Sequence, residues 1–411
     1  MPSIQPKDFS VLDAVLIALT AILLYLMFRP NVRQSTFWQA TVTPLASIIG
    51  SGFLVVVPLL ANIAGHWAWL AILVICLLSL WLGHAMRFTM EWEETQSQTQ
   101  SPDPLRMGLD RFADVALAFA YVISITFYIR LMAGFVLTGL DIYSEFNADV
   151  LATLVLAGIG IYGLFKGLHG LEKLETYSVS IKLAIIVALL AGLIWHDIGQ
   201  GYSLAGLTAP SQSLAQSLAQ LGGMLLIVQG FETSKYLGSE YPAKVRIQSM
   251  ILAQRLAAAI YISFVVLAMP LMNQFVGSEP NETAIIALSG QITLILPVLL
   301  VIAAAMSQFS AAIADTIGAG GVVEKESRHH LPARRLYPVI TALSIALLWS
   351  SNIFQLVTYA SKAFAFYYML QALIAARLAS HEAKKANQAL AFLCLAVLML
   401  MVVLFAVPVE G

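Results

Sequence analysis

Long apolar stretches separated by short polar connections recur along almost the whole chain. A transmembrane helix needs about 20 mostly apolar residues, so each such stretch predicts one crossing of a bilayer. The pattern predicts an all-α polytopic membrane protein with about twelve spans. They lie near residues 10–28, 42–63, 67–86, 113–140, 149–166, 178–196, 217–234, 248–272, 287–318, 336–350, 353–378 and 388–408.

The composition excludes several classes of protein. Of the 411 residues, 59% are hydrophobic and 11% are charged, whereas soluble domains have roughly 25% charged residues. A net charge of −1 offers no basic face for nucleic acid. Cys76 and Cys394 both lie in apolar stretches, so neither a disulfide framework nor a Cys-rich metal site is predicted. No cofactor is expected, and the lipid bilayer is the predicted surrounding.

The basic residues predict the orientation of the spans. Most of the 22 Lys and Arg residues lie in or beside alternate connections, and such connections are cytoplasmic in membrane proteins. Both termini are then predicted outside, in a protein of the bacterial inner membrane. Arg29 and Arg33 follow the first span, and no small-residue cleavage pattern is present. We therefore expect this span to remain as an anchor.

Two spans contain glycines that would interrupt a helix. Residues 43–53 read TPLASIIGSGF, and residues 228–233 read VQGFET. Exposed backbone groups are tolerated at membrane depth only where they line a polar cavity. Interrupted spans at matching places in two halves of a chain indicate a transporter site built from inverted repeats. A close contact between helices is the alternative explanation for glycines at this spacing.

At these residues the chain resembles the amino acid, polyamine and organocation (APC) transporter superfamily, in particular its amino acid permeases. Residues 48–53 (IIGSGF) are similar to a signature of the first helix of the family's repeat. Residues 230–232 (GFE) with 239–242 (SEYP) are similar to the sixth-helix pattern. A third similar stretch begins at residues 307–312 (SQFSAA). The chain departs from the pattern at Gly320-Gly321, where the family usually has Ser-Arg.

The resemblance implies a LeuT-like fold of two inverted five-helix repeats. The repeats are expected at residues 41–196 and 197–378. Residues 1–40 would form an extra N-terminal transmembrane helix with a cytoplasmic linker, and residues 379–411 a C-terminal transmembrane helix.

Five ionisable residues lie within the spans, where a charge costs at least about 2.5–3.5 kcal/mol. They are Arg130, Lys182, Glu232, Asp315 and Lys362. Glu232 could neutralise a substrate amine, accept a proton or pair with Arg130. Asp315 could pair with Lys182, or hold a cation together with hydroxyls such as that of Ser310.

Lys182 resembles the helix-5 lysine of sodium-independent members of the family. The resemblance implies an ammonium among backbone carbonyls and hydroxyls, where relatives hold a sodium ion. The alternative is a lysine that extends to the cytoplasmic surface.

These features predict a secondary active transporter of an amino acid or a related amine-bearing metabolite. Coupling to protons, or exchange, is expected in preference to coupling to sodium. Two alternatives are a transporter of the same fold whose substrate is an anion, and a sensor that binds a ligand without transporting it. No sequence motif for catalysis is present, so an enzyme is not expected. The predicted substrate-binding residues are Ile49, Gly50, Ser51, Gly52, Tyr128, Gln229, Gly230, Phe231 and Glu232, and the predicted coupling residues are Lys182, Glu232, Asp315 and Ser310.

Overall fold

The structure is a computed structural model that describes residues 9–50, 52–96, 103–140, 142–207, 212–276, 284–351 and 353–406. Within these ranges every regular element is a helix. The α-helices are α1 (Val11–Met27), α2 (Pro30–Arg33), α3 (Thr36–Ile48), α4 (Gly52–Ile63), α5 (Ala68–Gln96), α6 (Pro104–Gly139), α7 (Glu145–Gln200), α8 (Leu214–Gly223), α9 (Ala243–Ala268), α10 (Ala284–Ser289), α11 (Leu296–Glu326), α12 (Ala333–Leu348), α13 (Ile353–His381) and α14 (Ala386–Phe405).

The helices occupy the predicted spans. By length and composition, seven of the described helices could cross a membrane, or eight if the bent pair α3 and α4 forms one span. One of the seven, α7, has 56 residues, which is long enough for two crossings. It is kinked at Gly167, where φ is +63°. This kink falls between the fifth and sixth predicted spans.

The prediction was wrong at the start of the ninth span, where 287–318 was expected to be one helix. The chain instead forms the short α10, a turn, and then α11 from Leu296. Pro297 lies in the first turn of α11, where its missing N–H is not needed. The side chain of Thr293 accepts a hydrogen bond from the backbone N–H of Leu296, at 3.2 Å. These two features start α11 later than the apolar pattern suggests.

The first helix packs into the bundle. Ser10 caps α1, and the Asp13 side chain bonds back to the Ser10 N–H in a capping box. The other oxygen of Asp13 accepts a hydrogen bond from the backbone N–H of Ile295 just before α11, at 3.0 Å. Leu16 is fully buried, and α1 packs along α7. The extra N-terminal helix thus supports the start of α11.

The centre of the bundle is formed by α3, α6, α7 and α11. α11 packs against α6, α7 and α3, and α13 packs against α6 and α14. Gly321 of α11 permits a close approach, because a Cβ there would lie 2.3 Å from the carbonyl oxygen of Tyr236. The departure from the family pattern at this position therefore has a packing reason.

We expect cysteine labelling to confirm the charge-based orientation. In a Cys394→Ser background, an impermeant thiol reagent added to intact cells should modify Ser144→Cys and Ser203→Cys but not Ser239→Cys. All three positions are exposed, and the first two lie in connections predicted outside. Membrane disruption should make Ser239→Cys reactive, which controls for access. If only Ser239→Cys were labelled in intact cells, the orientation of the spans would be the opposite of the predicted one.

Candidate substrate and coupling site

The second predicted span is broken between α3 and α4, which are bent by 41° relative to each other. The carbonyl groups at the end of α3 have no helical partner beyond the break. Side chains from other helices supply the missing donors. The carbonyl oxygen of Ile48 accepts from the hydroxyl of Tyr261, at 3.1 Å. The hydroxyl of Ser307 donates to the carbonyl oxygen of Ile49 at 2.6 Å and lies 3.0 Å from that of Gly50.

The seventh predicted span is broken as well. After α8 the chain forms a 3-10 helix over Met224–Val228, and a second 3-10 helix covers Phe231–Tyr236. Gly230 between them has φ of +113°, a conformation that favours glycine. The carbonyl oxygen of Val228 accepts a hydrogen bond from the Ser79 hydroxyl, at 3.0 Å.

The two breaks touch each other. A Cβ at Gly230 would lie 2.4 Å from the hydroxyl oxygen of Ser47 in α3, and a Cβ at Gly52 would lie 2.7 Å from side-chain carbons of Ile227. The hydroxyl of Tyr261 lies 2.9 Å from the carbonyl oxygen of Ile227 as well as bonding Ile48. The glycines therefore allow the unwound segments to pack directly together.

Lys182 is fully buried beside the break in the second span. Its ammonium donates to the carbonyl oxygens of Ala46 at 2.9 Å and Ile49 at 2.6 Å, and to the hydroxyl of Ser310 at 2.8 Å. These three acceptors satisfy the three N–H groups of the ammonium. The full burial rules out the alternative that Lys182 extends to the surface.

Asp315 lies on α11 and is fully buried. One carboxylate oxygen accepts from the hydroxyl of Ser47 at 2.8 Å, and the other accepts from the hydroxyl of Ser124. Asp315 and Lys182 form no ion pair among the described side chains, so that pairing hypothesis was wrong. Asp315 instead joins α3, α6 and α11 just beside the break.

Glu232 follows the break in the seventh span and is also fully buried. Its carboxylate accepts from the Tyr368 hydroxyl at 2.5 Å and from the backbone N–H of Gly230 at 2.9 Å. The hydroxyl of Tyr121 donates to the second oxygen at 3.4 Å. Neutral donors thus hold this carboxylate in place.

Aromatic and amide side chains surround this carboxylate. The Phe231 ring is stacked on Tyr368, with centroids 5.2 Å apart. The amide of Gln229 donates to the hydroxyl of Tyr128 at 3.4 Å, and that hydroxyl would lie 3.6 Å from a Cβ at Gly50. A cavity is lined by Phe231 and Tyr368 together with Ser79.

Two of the predicted buried charges lie elsewhere. Arg130 forms an ion pair with Asp149 in the first turns of α7, at 2.6 Å, so the hypothesis that it pairs with Glu232 was wrong. Lys362 is exposed and lies at the edge of the cavity beside Phe231, so it is not a buried charge. Ser51 lies outside the described residues.

Ion pairs join several helices at the end of the bundle that the charge pattern predicts to be cytoplasmic. Asp110 of α6 pairs with Lys235 and Lys325, each at 2.7 Å. Lys325 also pairs with the fully buried Asp114, at 2.7 Å. The hydroxyl of Tyr236 donates to the other oxygen of Asp114 at 2.7 Å. This network ties α6, α11 and the second 3-10 segment of the broken span together.

Sequence reasoning missed Ser47, Ser124, Tyr261 and Tyr368 as parts of the site. Ser47 lies inside the stretch 43–53 that indicated the break, and Tyr368 follows aromatic residues of the same span. A search for polar side chains within one turn of the breaks would have found Ser47. Ser124 and Tyr261 lie in unbroken helices, where no local signal distinguishes them.

Comparisons with known proteins agree with this arrangement. A sequence profile of a family described as APC superfamily transporter matches residues 30–406. An uncharacterized protein of Aquifex aeolicus (strain VF5) is 43% identical over 402 residues, which cover 96% of this chain and 97% of that protein.

Solved structures of transporters have the same fold. The substrate-bound outward-open state of a Na⁺-coupled sialic acid symporter matches with a TM-score of 0.55 and 14% identity, covering 97% of this chain and 98% of the symporter chain. A mutant of the manganese transporter of Eremococcus coleocola matches with a TM-score of 0.55 and 12% identity, covering 98% and 88%. The chain thus shares their LeuT-like fold of two inverted five-helix repeats.

Proposed function

Because this chain belongs to the APC superfamily of transporters, we propose that it is a secondary active transporter of an amino acid or a closely related amine-bearing metabolite. The observation that carries the proposal is the direct contact of the two broken spans, at Ser47 with Gly230 and at Gly52 with Ile227. In membrane transporters, half-helix ends at such breaks bind the charged groups of the substrate.

The two ends of an amino acid match two features of the site. α4 begins at Gly52, and the first N–H groups of a helix attract a carboxylate. Among the described residues, Glu232 and Asp315 are buried and bonded only by neutral donors, so a substrate ammonium is the cation that we propose for them. The proposed repeats, residues 41–196 and 197–378, each contribute one of the broken spans.

We propose that a proton, or exchange of one substrate for another, drives the movement. Lys182 holds its ammonium with carbonyls of the break and the Ser310 hydroxyl, which are ligands that would also suit a monovalent cation. When α3 moves during alternating access, the two carbonyls at its end separate from Lys182, and the buried ammonium loses two of the three bonds that stabilise its charge. Release of its proton would then accompany the conformational change.

An anion is a less suitable cargo. That alternative was motivated by three cations against two acids within the predicted spans, but Arg130 is paired with Asp149 and Lys362 is exposed. The fully buried charged side chains beside the breaks are two acids, Glu232 and Asp315, and one base, Lys182.

We expect the purified protein to be stabilised by at least one amino acid, because a ligand that binds only the folded state raises the unfolding free energy by RT ln(1 + [L]/Kd). A thermal-shift screen would compare amino acids, amines and simple carboxylates, each at about 100 times an expected Kd. The compound that stabilises should also accumulate in proteoliposomes and should be displaced by related amino acids. Binding without uptake would favour a sensor, and displacement by simple anions alone would favour the anion cargo.

A further inference from the structure

Glu175 is a buried carboxylate that the substrate site does not use. It lies on α7 after the kink, and its side chain is completely inaccessible to solvent. One carboxylate oxygen accepts a hydrogen bond from the Thr43 hydroxyl of α3, at 2.7 Å. The other oxygen has no hydrogen-bond partner among the described protein atoms. An ionisable group that is fully buried and only half satisfied is a candidate for a functional role.

The position of Glu175 relates it to Lys182. Lys182 lies seven positions after Glu175, which is a rotation about 20° short of two full helical turns. Both residues therefore lie on the same face of α7, about 10 Å apart along its axis. α3 covers both side chains, since Thr43 bonds Glu175 and Ala46, one turn later, bonds Lys182. The two residues therefore occupy one enclosed strip between α3 and α7.

Further titratable groups continue the strip toward the predicted cytoplasmic end. Glu172, one turn before Glu175, is 5% exposed and accepts a 2.8 Å hydrogen bond from the Tyr241 hydroxyl. His169, another turn earlier, lies 3.4 Å from Glu172 and has a side chain that is 78% exposed. The exposure thus rises from Glu175 through Glu172 to His169.

We propose that Glu175 is the group that exchanges the coupling proton between Lys182 and the cytoplasm, by way of Glu172 and His169. This inference rests on the proposed function, because it assumes that Lys182 releases a proton. In the outgoing step the Lys182 ammonium gives one proton to the Glu175 carboxylate, which leaves a neutral amine and a neutral carboxylic acid. Glu175 then passes the proton to Glu172, which hands it on to the exposed His169, and Glu175 becomes a carboxylate again.

The surroundings of Glu175 suit this exchange. The charged and titratable groups that act on it are Glu172 and Lys182 on α7, Asp315 on α11, and Tyr241 before α9. Lys182 and Glu175 form no direct ion pair among the described side chains. The lysine must therefore leave the Ser310 hydroxyl of α11 and its two carbonyl acceptors at the end of α3 before it can transfer its proton, which links the transfer to movement of α3.

The test compares transport with and without net proton movement. Parent protein and Glu175→Gln are placed in proteoliposomes, and a radiolabelled mixture of the proteinogenic amino acids serves as the probe. Glutamine can still accept the Thr43 hydrogen bond but cannot carry a proton. We expect Glu175→Gln to keep at least half of the parent's counterflow at equal pH. Its accumulation driven by a pH gradient should be at least tenfold lower than that of the parent. The matched control is Glu240→Gln, which changes an exposed acid at the same end and should retain both activities.

The outcomes separate this inference from the proposed function. Parent-like accumulation by Glu175→Gln would overturn the inference and leave proton coupling intact. Loss of counterflow together with accumulation would assign Glu175 a structural role and also overturn it. If the parent shows counterflow but no response to a pH gradient, the inference and proton coupling both fail, and exchange of one substrate for another remains as the proposed drive. If Glu175→Gln does not fold, Glu172→Gln is the second variant, because it interrupts the same strip. We expect it to lower accumulation while counterflow persists. Unchanged accumulation by Glu172→Gln would contradict the proposed proton route.

Discussion

Gly52→Val is expected to weaken substrate binding strongly while the protein still inserts and folds. A Cβ at this position would lie 2.7 Å from two side-chain carbons of Ile227, so the two unwound segments would have to separate. Overpacking of this kind costs roughly 1–3 kcal/mol, which corresponds to a loss of affinity of about fivefold to more than a hundredfold. The measurement is equilibrium binding of the amino acid identified in the thermal-shift screen, with size-exclusion chromatography as the test of folding.

Gly158→Val is the matched control for this variant. Gly158 is also in a membrane helix, but a Cβ there would meet no atom within 4 Å. We expect it to bind substrate like the parent. If Gly52→Val is monodisperse and binds with parental affinity, the site does not lie at the contact of the two breaks.

Lys182→Ala is expected to retain substrate exchange but to lose accumulation driven by a pH gradient. The variant removes the buried ammonium that three acceptors hold beside the break, and with it the proposed titrating group. Accumulation should fall by at least about tenfold, because the remaining exchange cannot concentrate substrate. The measurement is uptake into proteoliposomes with an acidic exterior, compared with counterflow at equal pH.

Lys173→Ala controls for the loss of a positive charge on the same helix. Lys173 is exposed on α7, so this variant should accumulate substrate as the parent does. Accumulation by Lys182→Ala at the parental level would show that another group carries the proton.

The fold was predictable because its signals are repeated along the chain. Apolar length and the alternation of basic connections depend on many residues, so one misplaced boundary does not change the result. The breaks were predictable for a related reason, since Gly50, Gly52 and Gly230 interrupt stretches that are otherwise continuous. The contacts of Lys182 with the break were expected from the family resemblance, although the role of that lysine remains a proposal.

The partners of individual side chains were not predictable from sequence. α13 is apolar around much of its surface, so its pattern did not show that Lys362 is exposed while Tyr368 faces Glu232. Arg130 forms its ion pair with Asp149 because the last turns of α6 and the first turns of α7 lie side by side. Glu175 was overlooked because it precedes the predicted span at 178–196, and its burial results from α3 packing over α7.

Sodium replacement tests the central claim most directly. A sodium ion about 4 Å from the Lys182 ammonium would be repelled by roughly 4 kcal/mol at an effective dielectric constant near 20, which weakens its binding almost a thousandfold. The measurement is uptake of the identified amino acid by the parent protein in proteoliposomes, with sodium replaced by choline at a fixed pH gradient. The account predicts unchanged uptake in choline. A strict requirement for sodium would contradict it and would assign the ion site to Asp315 with Ser310.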